Sequence, residues 1–176
     1  MWGLDEPACA EDAVVPMLLL TGHFVLDVIG TATMLYKFKE MVRELKLSSR
    51  VTFIDALPYN QMTEYTRQCF LGLIFEKIDF TDEHLFALPN KFFDYLHAGV
   101  PVLSSKAVEI ELIIEKYQVG DFINSLDPLD IAKKIMEIAK DMEVYNSWKR
   151  NTAKASEELN WENEEKILIN FMDHLS

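Results

Sequence analysis

A chain of 176 residues, 49% hydrophobic and 26% charged, fits one domain with a sizeable core. A net charge of −12 and a pI near 4.7 argue against a broad nucleic-acid or anionic-membrane footprint, but backbone amides and one lysine can still build a local anion site. Cys9 and Cys69 stand without a CxxC or a Cys/His cluster, so they read as free thiols of a reducing compartment, and no metal site is expected.

Residues 1–16, MWGLDEPACAEDAVVP, are an atypical N-terminal segment that does not read as a strand plus a helix, and their acidic start is unlike a basic signal peptide. The apolar run 14–30 is interrupted by Pro16, His23 and Asp27, too often for a spanning helix. The location expected is therefore cytoplasmic, or peripheral to the inner face of the membrane as part of a larger enzyme. MLLLTG (17–22) is a continuous apolar run closed by glycine and predicts a buried strand. Residues 32–47 carry Met34, Phe38, Met41 and Leu45 at helical spacing. VTFI (51–54) is β-branched and aromatic and predicts a strand, 59–69 a helix after Pro58, and LGLIF (71–75) another buried strand. Residues 76–89 are polar, without period, and long for a connection inside a domain; such loops often carry function. A helix over about 90–98 follows, stopped by Gly99, then the strand VPVLSS, a helix at 109–117 and a short strand at 119–123. Asp127 as N-cap and Pro128 at the first helical position open a helix through 141. The tail 142–176 reads as two polar helices broken near Asn160 and Trp161.

Strands alternating with helices, with apolar runs that are continuous, predict a single α/β domain with a doubly wound, mostly parallel sheet and C-terminal helices. Ligands of such sheets bind beyond the carboxyl ends of the strands. The long loop lies just past LGLIF, and so does a polar stripe of Asn90, Lys91, Asp94 and His97 on one helix face, with Phe92, Phe93 and Leu96 left to cover the sheet. The helix start at Pro89 is electropositive, Lys91 adds a charge, and Asp94 one turn deeper can accept two hydroxyls. A diphosphate and a sugar diol would suit that arrangement. The competing reading is a solvated face with a Lys91–Asp94 ion pair worth about 0.2–0.5 kcal/mol and His97 capping the last turn.

LPNKFFDYLHAGVPVLSS (88–105) resembles the donor-binding signature of retaining glycosyltransferases of the GT-B type, in the family also called glycosyl transferases group 1, which shows a Glu followed by A-x-A-x-G-x-P-V and, in a subgroup, A-L-P-N-K-x-x-E-Y. LLLTG looks like the second strand of that family's C-terminal domain. RVTFIDALPYNQMTEYTRQCFLGLIF, EIELIIEKYQVGDFI and ELNWENEEKILINFMDHL are similar to later family motifs, in order, so that the likeness runs from about 17 to 175. The resemblance implies a Rossmann-like half of a GT-B fold that binds a nucleotide-sugar donor, UDP- or GDP-linked, as substrate, with no cofactor and no metal. On it, Asn90, Lys91 and Phe92 would hold the diphosphate, Asp94 the ribose hydroxyls, and Leu57 and Tyr59 the base, with Gly22 at the nucleotide too.

The departures are specific. Asp94 stands where the family has the longer glutamate, and Phe86 where it has a carboxylate, which leaves Glu83 and His84 as the candidates for the catalytic role at the sugar. The family's central strand and helix, with their arginine and lysine, have no counterpart in the residues before MLLLTG, and no acceptor domain is present. The expectation is an incomplete transferase, not competent alone, whose partners are a nucleotide sugar and the missing N-terminal domain or a partner chain. A gap in the sheet would invite pairing with another chain or a homo-oligomer. The alternative is a non-catalytic interaction module with a degenerate glycosyltransferase fold. His23 is a further candidate at the end of LLLTG, and Trp148 and Trp161 read as packing residues.

Overall fold

The computed structural model describes residues 12–29, 35–75, 86 and 88–174. Among these, strands and helices alternate as β1 (Leu26–Ile29), α1 (Leu35–Glu44), β2 (Val51–Ile54), α2 (Tyr59–Thr66), β3 (Gly72–Ile74), α3 (Asn90–Ala98), β4 (Val102–Ser105), α4 (Val108–Tyr117) and β5 (Gly120–Ile123). The helices α5 (Pro128–Lys140), α6 (Met142–Glu158) and α7 (Trp161–Asp173) complete the chain. Every strand pairing is parallel.

Local chemistry sets the boundaries. Pro89, with φ −71° and ψ 142°, holds extended backbone before α3, and Gly99 closes that helix at φ 75°, a left-handed position that suits glycine. Its N–H returns to the Leu96 carbonyl at 3.0 Å. The Asp127 carboxylate accepts from Leu129 N at 2.8 Å and opens α5; Asn160 accepts from Asn163 N at 3.0 Å and opens α7.

β3, β4 and β5 form one sheet, covered on both faces as expected of double winding. Leu103 and Ile123 point into a core with Ile131, Ile135 and Trp148 from α5 and α6. Ile74 and Val102 point into a second, with Phe92 and Leu96 of α3 and Ile110 and Ile114 of α4. The aromatic ring of Tyr95 lies so close to Gly72 that a Cβ there would fall 2.4 Å from it.

Two expectations change and one is met. MLLLTG is not a strand: Val15–Leu18 is a 3-10 turn with Pro16 at its start, where a missing N–H costs nothing. Val14, Met17 and Leu20 are buried at a spacing of three while Leu18 and Leu19 face solvent, so this apolar run follows a helical period. The strand at this point is LDVI, further along, which Asp27 conceals in the sequence. The gap expected in the sheet is present: β1 and β2 form a separate pair, and residues of β1 and β3 line a cavity of about 500 Å³. Finally, Trp148 is buried, as a packing residue should be, but Trp161 is 66% exposed and no residue of α7 is buried. Among the described residues no helix is long and apolar enough to cross a membrane.

Candidate functional site

The carboxyl end of β3 leads towards α3, and the carboxyl end of β2 leads through Leu57 to α2. The two helices pack against each other, which brings Tyr59, the first residue of α2, to Asp94 on α3. The Tyr59 hydroxyl lies beside the Asp94 carboxylate, near enough for each to act on the other's titration. Asp94 is half-buried, and burial pushes its carboxyl above the usual carboxylate range, while the Tyr59 hydrogen bond pulls the other way. Burial, and then the Asp94 charge, push the Tyr59 phenol up.

Among the described residues no side chain caps the start of α3. Asn90 is exposed at its first position, and Lys91, half-buried, lines the cavity together with Asp94 and Tyr95. A helix start with a cationic side chain beside it, and a carboxylate one turn deeper, can take an anion and a diol side by side. The reading of a wet face loses ground, because Lys91, Asp94 and His97 are all partly buried. His97 does not cap its own helix: its Nε2 meets the Leu159 carbonyl, 3.0 Å away, at the end of α6.

The other sequence-derived residues divide. Leu57 is half-buried in the loop between β2 and α2, beside Tyr59. Phe92 is fully buried, and its N–H already donates to the Pro89 carbonyl at 2.9 Å, so it is committed to the core and the first turn of α3. Gly22 and His23 precede β1 and lie towards its amino end, the wrong end for a ligand of such a sheet, because the strand they were assigned to follow lies after them. Glu83 and His84 fall outside the described residues. Phe86 is exposed. Cys69 is a free thiol, half-buried, raised by burial and then by the Asp27 charge; Cys9 lies outside the described residues.

Sequence reasoning missed Asp27. It sits in β1 and accepts a hydrogen bond from the Tyr65 hydroxyl at 3.0 Å. The available signal was an aspartate inside an apolar run. Among the described residues no group of three or more His, Cys, Asp or Glu side chains comes together as a metal site would require.

Parallel strands with helices on both faces, and a helix starting beyond β3, define a Rossmann-like α/β domain of the kind found in the GT-B fold. The chain belongs to the family described as glucosyltransferase 3-like, C-terminal domain, which matches residues 21–163. Among curated proteins no sequence matches it. Solved structures share its fold at low identity. HepE from Anabaena, in complex with UDP and glucose, superimposes with a TM-score of 0.76 at 14% identity over 96% of this chain and 46% of its own. Sucrose-phosphate synthase from Thermosynechococcus elongatus gives 0.75 at 17% identity over 96% of this chain and 43% of its own. WaaG, a glycosyltransferase involved in lipopolysaccharide biosynthesis, gives 0.68 at 16% identity over 84% and 39%. The chain thus spans less than half the length of each of these proteins.

Proposed function

We propose that this domain binds the nucleotide-sugar donor, UDP- or GDP-linked, of a retaining glycosyltransferase, and that transfer needs an acceptor-binding half from an N-terminal domain or a partner chain. The observation that carries the reading is the pairing of Tyr59 with a half-buried Asp94, one turn inside the uncapped start of α3. Asp94 accepts the ribose hydroxyls and Tyr59 holds it in place. The first turn of α3 and the Lys91 ammonium take the diphosphate, whose charge as a leaving group they stabilise without a metal. Leu57 and the Tyr59 ring flank the base. Glu83 or His84 acts at the sugar. Complexes of HepE with UDP and with UDP-glucose favour uracil as the base.

Isothermal titration of the folded chain with UDP, GDP and their glucose and mannose conjugates tests this. Saturable binding of at least one, with a Kd of about 1 mM or tighter, corresponding to ~4 kcal/mol, is expected. No binding of any of them by a folded sample refutes it. The divided sheet favours a second reading, an interaction module without donor binding; it predicts a stable oligomer and no nucleotide signal.

A further inference from the structure

The last carbonyls of a helix find no amide within it. At the end of α6 side chains meet them one by one. The Asn160 amide donates to the Ser156 carbonyl at 3.2 Å and to the Glu157 carbonyl at 2.9 Å. The Asn163 amide donates to the Glu157 carbonyl at 2.9 Å and to the Glu158 carbonyl at 3.1 Å. The last carbonyl, that of Leu159, is met by a different element: Nε2 of His97 on α3 stands 3.0 Å from it. A carbonyl only accepts, so the hydrogen sits on Nε2.

The corner between α6 and α7 is also tied to α4. The Glu158 carboxylate accepts from the Tyr117 hydroxyl at 2.7 Å, and the Asn151 amide donates to the Gln118 carbonyl at 3.0 Å. α7 buries no residue, so its start is fixed by this polar network, with the Asn163 N–H on Asn160 at 3.0 Å.

α3 is held along its polar face at two points. α2 brings the Tyr59 hydroxyl beside Asp94, and α6 brings the Leu159 carbonyl to His97, one turn further on. The other face of α3 is apolar. Phe92 and Leu96 share a core with Ala155, a fully buried small residue that lets α6 approach. Apolar contact is non-directional and leaves a helix free to roll by some degrees, whereas a hydrogen bond sets the angle. Asp94 and His97 lie three residues apart on one face, so the roll that satisfies Leu159 is the roll that turns Asp94 to Tyr59.

We propose that His97 is a positioning residue, which sets the roll of α3 against the α6–α7 corner and so the place of Asp94, and which links the donor site to the start of α7 in both directions. His97 itself touches no ligand. What Asp94 holds rests on the donor-binding reading, whereas the roll of α3 belongs to the free chain.

Two variants separate the hydrogen bond from the space that the ring fills. His97→Gln carries an amide donor to where Nε2 stands; His97→Leu fills the space with no donor. Neither has the imidazole charge, so a difference between them is not electrostatic. In the free protein, the nuclear Overhauser contact between the Tyr59 ring and the Asp94 β-hydrogens should persist in His97→Gln and weaken in His97→Leu. Titration with UDP should give a Kd within about twofold of wild type for His97→Gln and raised about fivefold or more for His97→Leu. UDP should slow amide exchange at Asn163 in wild type and in His97→Gln, and leave it unchanged in His97→Leu. Should the leucine variant fail to fold, His97→Ser, too short to reach Leu159, takes its place. Equal behaviour of the glutamine and leucine variants in the Overhauser contact overturns the proposal, because the ring then acts by packing alone. So does a wild-type Asn163 amide that does not respond to bound UDP. If wild type binds no nucleotide, the donor-binding reading falls, and the Overhauser contact in the free chain still decides the role of His97.

Discussion

Replacing Asp94 with asparagine separates ligand recognition from folding. Burial raises the Asp94 carboxyl above its ordinary value of 3.8, and the Tyr59 hydrogen bond only partly offsets this. With the folded-state value above the unfolded one, the neutral form is the one the fold favours. That contribution is complete below the unfolded value and is lost as pH rises through the folded value. At neutral pH the ionised carboxylate therefore costs stability, and Asp94→Asn removes the cost while keeping the shape. On the proposed reading the donor needs the charge. Hydrogen bonds to a charged group contribute about 1.5–3 kcal/mol, so neutral asparagine weakens UDP binding roughly 10- to 150-fold. The assay is titration with UDP across a pH series, beside thermal unfolding of both proteins. Wild-type affinity should fall as pH drops through the raised Asp94 value, whereas the variant should show no such step and a Tm no lower than wild type at neutral pH. Equal affinity of the two proteins, or a variant that melts several degrees lower, refutes the assignment of Asp94.

Tyr59→Phe removes the hydroxyl that pulls the Asp94 carboxyl down, so the pH step in UDP affinity should move upward; an unmoved step shows that the two groups are not coupled. Leu96→Ala empties a site that is 1% exposed and should cost about 2–5 kcal/mol in urea unfolding. Gly72→Ala drives a Cβ against the Tyr95 ring and should cost about 1–3 kcal/mol, measured in the same way. Asp127→Ala removes the N-cap of α5 and should lower stability by about 0.5–2 kcal/mol, with UDP affinity unchanged.

What could be read in advance depended on how local the cause was. The limits of α3 are written in Pro89 and Gly99, each acting through its own backbone, so this helix lies where the sequence puts it. Asp127 and Asn160 opened their helices for the same reason. The run MLLLTG defeated the reading because continuous apolar residues do not distinguish a strand from a buried helical turn; only the spacing of Val14, Met17 and Leu20 does. β1 was hidden by Asp27, whose partner Tyr65 lies 38 residues away. His97 likewise finds its carbonyl 62 residues on. The stripe on α3 was legible as a periodicity, but its chemistry depends on Tyr59 arriving from another helix, and no periodicity records that.

The division of the sheet gives the molecule a line of weakness. Among the described residues no backbone hydrogen bond ties the β1–β2 pair to the other three strands, and Val14, Met17 and Leu20 help to bridge them with side chains alone. Under heat or tension the lobe of β1, α1 and β2 should peel away first, at a free energy below that of global unfolding, while β3, β4 and β5 stay clamped between α3, α4 and α5.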